Sequence, residues 1–171
     1  QVDSEGFVEP VSFLSGTHDM MMPSVSPDGS SVVYVSNQNG PLNIYKREFK
    51  TNKMISLTDE PTDNTRPVWS PDAKWIAWVS QKNHVKGDIW FMRGNGKDKT
   101  KVTHSDAMIS SPAWDIDSQH IFYTKTSNHD SNIFYIDTNH GSESILIKNG
   151  WDPVVSSRGK FVFFVRKNEQ N

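Results

Sequence analysis

The chain has 171 residues, of which 35% are hydrophobic, with 10 glycines, 9 prolines and no cysteine. Its 18 basic and 20 acidic side chains leave a formal net charge of -2, so no overall field favours nucleic acid or an anionic membrane. No apolar run reaches the roughly 18 residues that suggest a membrane-spanning helix, and the lack of cysteine excludes disulfides and thiolate chemistry.

The first predicted elements follow Pro23, where a short strand at 24–26 leads into the turn Ser-Pro-Asp-Gly. Proline presets φ in such a turn, aspartate accepts a hydrogen bond within it, and glycine tolerates positive φ. The apolar strand SVVYVS comes next, then a polar loop and the aromatic strand LNIYKRE, and KMISLT completes the unit. Four short strands bounded by turn residues predict an antiparallel meander.

This unit recurs along the chain. Its copies begin at Pro23, Pro67, Pro112 and Pro153, at intervals of 44, 45 and 41 residues, and their turns read SPDG, SPDA, DIDS and SSRG. A period of roughly 40–45 residues is typical of propeller blades, whereas a β-sandwich gives no reason for turn chemistry to repeat in register. We predict an all-β propeller of four-stranded antiparallel blades, approximately at 23–66, 67–111, 112–152 and 153–171.

Ser-Pro-Asp-Gly, an apolar strand ending in Val-Ser-Asn, and then Asn-Ile-Tyr resemble the WD-like repeat of the TolB propeller family. The resemblance runs from Pro23 to about Lys167, although Asp115 and Ile116 replace Ser-Pro in the third unit and Arg158 replaces aspartate in the fourth. It implies a protein-binding module of the bacterial Tol–Pal envelope system in the periplasm. Related repeats occur in prolyl oligopeptidases and oligogalacturonate lyases.

The last unit ends after its second strand, and an unpaired apolar edge strand is an aggregation hazard. The segment FLSGTHDMMMP near the start aligns with SLTDEPTDNTRP, a fourth strand and its following loop. We therefore expect a single domain at 1–171 whose fourth blade, 153–171, is completed by residues 1–22. Three arrangements remain open: a four-bladed ring closed by the termini, a homodimer that closes a larger ring, and a part of a longer propeller.

The loops that enter the innermost strands are the predicted binding surface, because loops on a rigid scaffold collect binding groups. These channel-face loops are 17–22, 59–66, 104–111 and 149–152, and the residue before each proline should converge on the channel. The candidate binding residues are Met20, Met21, Met22, Arg66, Ser111, Trp151 and Asp152. Methionine, arginine and tryptophan suit protein or peptide contacts. Alternatively, the methionines fill the channel and Arg66 pairs with Asp152.

No cofactor is expected, with one alternative. His18 and His104 both fall in channel-face loops, where a nearby aspartate such as Asp19, Asp63 or Asp106 would help them hold a divalent cation. No histidine pair has the spacing of a zinc site, so we expect solvated loop histidines.

The sequence indicates a non-catalytic role, since it has no Gly-x-Ser-x-Gly elbow and its GNGKDKT stretch belongs to a hairpin turn. We predict a periplasmic or extracellular module of the bacterial envelope that binds a protein or peptide. Nucleic-acid binding and membrane insertion are not expected. The alternatives are a metal-dependent enzyme resembling oligosaccharide lyases and the propeller portion of a larger peptidase.

Overall fold

The computed structural model describes residues 18–82 and 85–166, and every regular element within them is a β-strand. The first sheet comprises β1 (Met20–Val25), β2 (Ser31–Ser36), β3 (Asn43–Glu48) and β4 (Met54–Ser56). The second comprises β5 (Asp63–Trp69), β6 (Trp75–Lys82), β7 (Lys86–Arg93) and β8 (Thr100–Lys101). The third comprises β9 (Met108–Trp114), β10 (His120–Ser127), β11 (Asp130–Asp137) and β12 (Glu143–Ile147), and the fourth comprises β13 (Gly150–Val155) and β14 (Val162–Arg166).

Each four-stranded sheet is an antiparallel meander whose strands pair in chain order, which confirms the predicted all-β propeller blades. The sheets lie side by side in the same order: β1 is next to β5, β5 next to β9, and β9 next to β13. The cores lie between the sheets. Val33, Ile44 and Trp78 are buried between the first two blades, and Ile89 and Tyr123 between the second and third.

The repeated turn is built as its sequence predicts. The Ser26 hydroxyl donates to Asp28 Oδ1 at 2.5 Å, and Ser70 donates to Asp72 Oδ1 at 2.6 Å. The residue after the aspartate position is left-handed in all four turns, with φ of +67° at Gly29, +59° at Ala73, +57° at Ser118 and +66° at Gly159. The turn therefore keeps its backbone even where glycine is absent.

The ends of the expected divided blade lie outside the described residues, because 1–17 and 167–171 are not among them. Met20 and Met21 pair with Ser36 and Val35 in the first sheet. The single domain at 1–171, the completion of the fourth blade by 1–22 and the closure of the ring stay predictions. No helix within 18–82 and 85–166 is long and apolar enough to cross a membrane.

Candidate functional site

The candidate binding residues lie on strands rather than in loops, which corrects the sequence interpretation. The innermost strands β1, β5, β9 and β13 each begin four or five residues earlier than the sequence suggested. Proline has no backbone N–H and normally marks a strand boundary. Here each strand continues through its proline because a β-bulge absorbs the irregularity.

The bulges share one unusual backbone conformation. The residue before each proline has a left-handed φ: +53° at Met22, +55° at Arg66, +51° at Ser111 and +52° at Asp152. Strand register shifts at the same place in each blade. Residues before proline are normally extended, and the left-handed conformation is unfavourable for any side chain with a Cβ atom. A bulge redirects the side chain it carries.

These four residues come together around one cavity, which we call the channel cavity. It has a volume of about 370 Å³, and the prolines that follow the four residues line it with them, together with Val68 and Val154. The rim therefore carries four different side chains on four equivalent backbone positions. Prolines with fixed φ make that rim a preorganised surface.

A hydrogen bond from the Ser111 hydroxyl to Asp152 Oδ1 links the third and fourth blades across the cavity. The Asp152 N–H donates to Thr124 Oγ1 at 2.9 Å, which fixes its backbone to β10. The expected pairing of Arg66 with Asp152 is not formed, and the Asp152 carboxylate accepts a hydrogen bond from Ser111 instead. Within 18–82 and 85–166, the exposed Arg66 has no hydrogen bond, ion pair or ring contact. Its guanidinium keeps five N–H donors for a ligand.

The other three candidates do not line the channel cavity. Met20 packs against the buried cluster that contains Tyr34 and Tyr45. Met21 and Trp151 are half-buried. The structure thus brings together Met22, Arg66, Ser111 and Asp152 and separates them from the remaining three, while binding at any of them stays a prediction.

Hydrogen bonds hold the residues just before two of the channel-face loops to the sheets. The Ile44 N–H donates to Thr58 Oγ1 at 2.8 Å, and the Thr58 hydroxyl donates to Asn43 Oδ1 at 2.9 Å. Asp88 and Thr103 repeat this arrangement in the second blade, with a hydroxyl-to-carboxylate distance of 3.0 Å. The Asn-Ile-Tyr element of the repeat therefore anchors the loop that leads into the next blade.

His18 and His104, the two candidate ligands of a channel metal, are both exposed. His104 borders a separate cavity of about 480 Å³, and neither histidine belongs to a cluster of three or more potential ligands among the described residues. Such a cluster occurs instead at the third turn, where ligand atoms of Asp115, Asp117 and His120 lie within 4.8 Å of one another.

Sequence reasoning missed His120 as a member of that cluster. The feature of the sequence that indicates the cluster is Asp115, because serine holds this position in the other three turns. Burial acts to raise the pKa of Asp117, but hydrogen bonds from the Gln119 N–H and from His120 outweigh burial and lower it. His120 Nδ1 lies 2.6 Å from Asp117 Oδ2.

Comparison with known proteins gives a family match over residues 1–171 to the TolB beta propeller domain. The Tol-Pal system protein TolB of Francisella tularensis (strain WY96-3418) is 26% identical over 174 residues, covering 98% of this chain and 40% of that protein. The uncharacterized peptidase YuxL of Bacillus subtilis is 29% identical over 108 residues, covering 60% of this chain and 16% of that protein. The chain thus spans less than half the length of these curated relatives.

Solved structures agree on the fold. TolB from Acinetobacter baumannii superimposes with a TM-score of 0.82 at 20% identity, covering 99% of this chain and 43% of that one. An oligogalacturonate lyase in complex with manganese superimposes with a TM-score of 0.59 at 15% identity, covering 73% of this chain and 38% of that one. A prolyl endopeptidase superimposes with a TM-score of 0.67 at 16% identity, covering 88% of this chain and 26% of that one. At such identities these similarities establish the propeller fold alone.

Proposed function

Because the chain belongs to the TolB β-propeller family, we propose that it is a non-catalytic module whose channel cavity binds a protein or peptide. The observation that carries this proposal is the exposed guanidinium of Arg66, which has no partner among the residues that the structure describes and lies on the rim of a cavity of about 370 Å³. Binding sites are concave and carry a few polar groups that orient the ligand, so a cavity with such a donor on its rim supports this proposal.

The rim offers three kinds of contact. Arg66 suits a carboxylate, which a guanidinium binds through two parallel hydrogen bonds. Asp152, already oriented by Ser111, offers an acceptor for a donor on the ligand. Met22 has 37% of its surface exposed and supplies adaptable apolar contact. Together they fit a peptide segment that carries an acidic group beside an apolar side chain.

The envelope assignment rests on the names of relatives. Several are called Tol-Pal system protein TolB, so we propose that the partner is a component of that system and that binding takes place in the periplasm. The lyase alternative draws support from fold similarity, which carries no activity of its own. The peptidase alternative draws support also from the sequence similarity to the uncharacterized peptidase YuxL, of which this chain covers 16%.

Titration calorimetry with purified soluble components of the Tol–Pal system tests the proposal. We expect one of them to bind, and Arg66→Ala and Met22→Ala to weaken that binding by about 5- to 30-fold each, as interface hot spots do. Arg158→Ala is the matched control, since Arg158 is an exposed arginine in a turn outside the cavity. Full affinity in the double variant, an equal loss in the control, or binding to none of the components would overturn the assignment.

A further inference from the structure

The gaps between neighbouring blades are filled differently. Between the first and second blades, Lys46 on β3 reaches across: its Nζ donates to the Gly94 carbonyl at 3.1 Å and lies 5.6 Å from the centre of the Trp69 ring. The side chain bridges the two sheets near their Ser-Pro-Asp turns.

Between the second and third blades, Phe91 on β7 occupies the position equivalent to Lys46. Phenylalanine has no donor with which to bridge the sheets, and a cleft of about 490 Å³ opens there. This volume lies within the range of roughly 300–1,000 Å³ that small-molecule sites occupy. The cleft shares no lining residue with the channel cavity.

The floor of the cleft is aromatic and held in place. The Phe91 ring meets Trp75 edge to face at 5.2 Å and Trp114 at 6.4 Å. The Arg93 guanidinium lies 4.7 Å from the centre of the Trp75 ring. Trp114 Nε1 donates to the Val68 carbonyl at 3.1 Å, so its orientation is fixed from the neighbouring blade.

The rim of the cleft is polar, and most of its polar groups are planar carboxylates and amides. It carries the carboxylates of Asp72 and Asp117 and the amides of Gln119 and Asn139. Within the described part of the chain, the two side-chain amides have no hydrogen-bond partner. The Asp72 N–H donates to Ser118 Oγ at 3.1 Å, which ties together the two turns that form the rim.

Both carboxylates are set up as acceptors. Burial acts to raise the pKa of Asp72, but hydrogen bonds from Ser70 and from the Lys74 N–H outweigh it and lower that pKa. The pKa of Asp117 is also lowered, because its hydrogen bonds outweigh the effect of burial. Each carboxylate has about four lone-pair sites and so keeps capacity for a further donor.

We propose that this interblade cleft binds a neutral sugar ring. The C–H bonds on the apolar side of a sugar ring carry partial positive charge and pack against the negative faces of aromatic rings. Hydroxyl groups both donate and accept, which matches a rim of carboxylates and amides. With two carboxylates against the single ammonium of Lys74 on the rim, an anionic sugar is disfavoured.

Saturation-transfer NMR on the full chain tests this, with methyl glucoside, methyl galactoside and N-acetylglucosamine as probes and glucuronate as the charged comparison. We expect saturation transfer to at least one neutral sugar and little to glucuronate. Phe91→Lys places in this cleft the residue that bridges the gap between the first and second blades, and it should weaken binding by tenfold or more. Gln119→Ala removes one exposed rim amide and should weaken it by about three- to tenfold.

Asn95→Ala is the control for Gln119→Ala, because it also removes an exposed side-chain amide but lies in the β7–β8 turn, outside the cleft. It should leave affinity unchanged. If Phe91→Lys fails to fold, as judged by its circular dichroism and thermal transition, Gln119→Ala carries the test. No transfer to any neutral sugar, equal binding of glucuronate, or unchanged affinity in the cleft variants that fold would refute the proposal.

Discussion

Replacing Arg66 by glycine should stabilise the fold, whereas replacing it by alanine should not. Arg66 has a φ of +55°, a conformation that costs a residue with a Cβ atom about 1–2 kcal/mol. Glycine adopts it freely but gains about 0.5–1 kcal/mol of extra backbone entropy in the unfolded chain. Because Arg66 has no partner within 18–82 and 85–166, its removal breaks no described hydrogen bond or ion pair.

The expected net gain for Arg66→Gly is therefore about 0.5–1 kcal/mol in the free energy of unfolding, and about zero for Arg66→Ala. For a domain of this size, 1 kcal/mol corresponds to about 2–4 °C in Tm. Arg66→Gly should thus melt about 1–4 °C above Arg66→Ala. Ser111→Gly is a useful contrast, because it relieves the same backbone conformation but loses the hydrogen bond to Asp152, and its gain should be smaller.

Thermal denaturation followed by circular dichroism, together with urea titration, measures these differences. The comparison of glycine with alanine cancels the loss of the arginine side chain, so only the backbone term remains. If Arg66→Gly is no more stable than Arg66→Ala, the left-handed bulge is not a source of strain and the reasoning fails. Both variants should lose partner affinity under the proposed function, which separates stability from binding.

Two further predictions concern the turns. Gly94→Ala should lower the free energy of unfolding by about 1–3 kcal/mol, because its new Cβ would lie 2.6 Å from Trp69 Cζ3; an unchanged urea midpoint would contradict this. Hydrogen bonds from the Ser26 hydroxyl first, and then from Ser30, lower the pKa of Asp28 from 3.8 to about 2. A lowered folded-state pKa stabilises the fold above about pH 4, and this stabilisation is lost as the pH falls towards 2. Asp28→Asn should flatten the dependence of stability on pH in that window, and slopes equal to those of the unaltered protein would rule the effect out.

The parts of the fold that local chemistry determines were predictable. The run SVVYVS lies between two turn signals and forms β2 (Ser31–Ser36) with the expected bounds. The turn was recognised from Asp28 and Gly29, and its backbone persists at Ala73, where the residue itself gives no such signal. Repetition supplied that information, because the first copy of the unit identifies the turn in the second.

The starts of the innermost strands were not predictable from the residues alone. Proline normally bounds a strand, and nothing in the pair Arg66-Pro67 indicates a left-handed residue inside one. The bulge depends on pairing with the next strand, which is a tertiary property. The link from Ser111 to Asp152 joins residues 41 positions apart, and only the arrangement of the third and fourth blades brings them together.

Both proposed binding sites lie where this chain departs from its own repeat. Met22, Arg66, Ser111 and Asp152 share one backbone conformation, so that conformation belongs to the scaffold, and under the proposed function the differing side chains select the ligand. Phe91 likewise stands in place of Lys46, and a cleft lies between the second and third blades where Lys46 bridges the first and second. A residue of one blade can therefore be interpreted by comparing it with the residue at the equivalent position of the neighbouring blade.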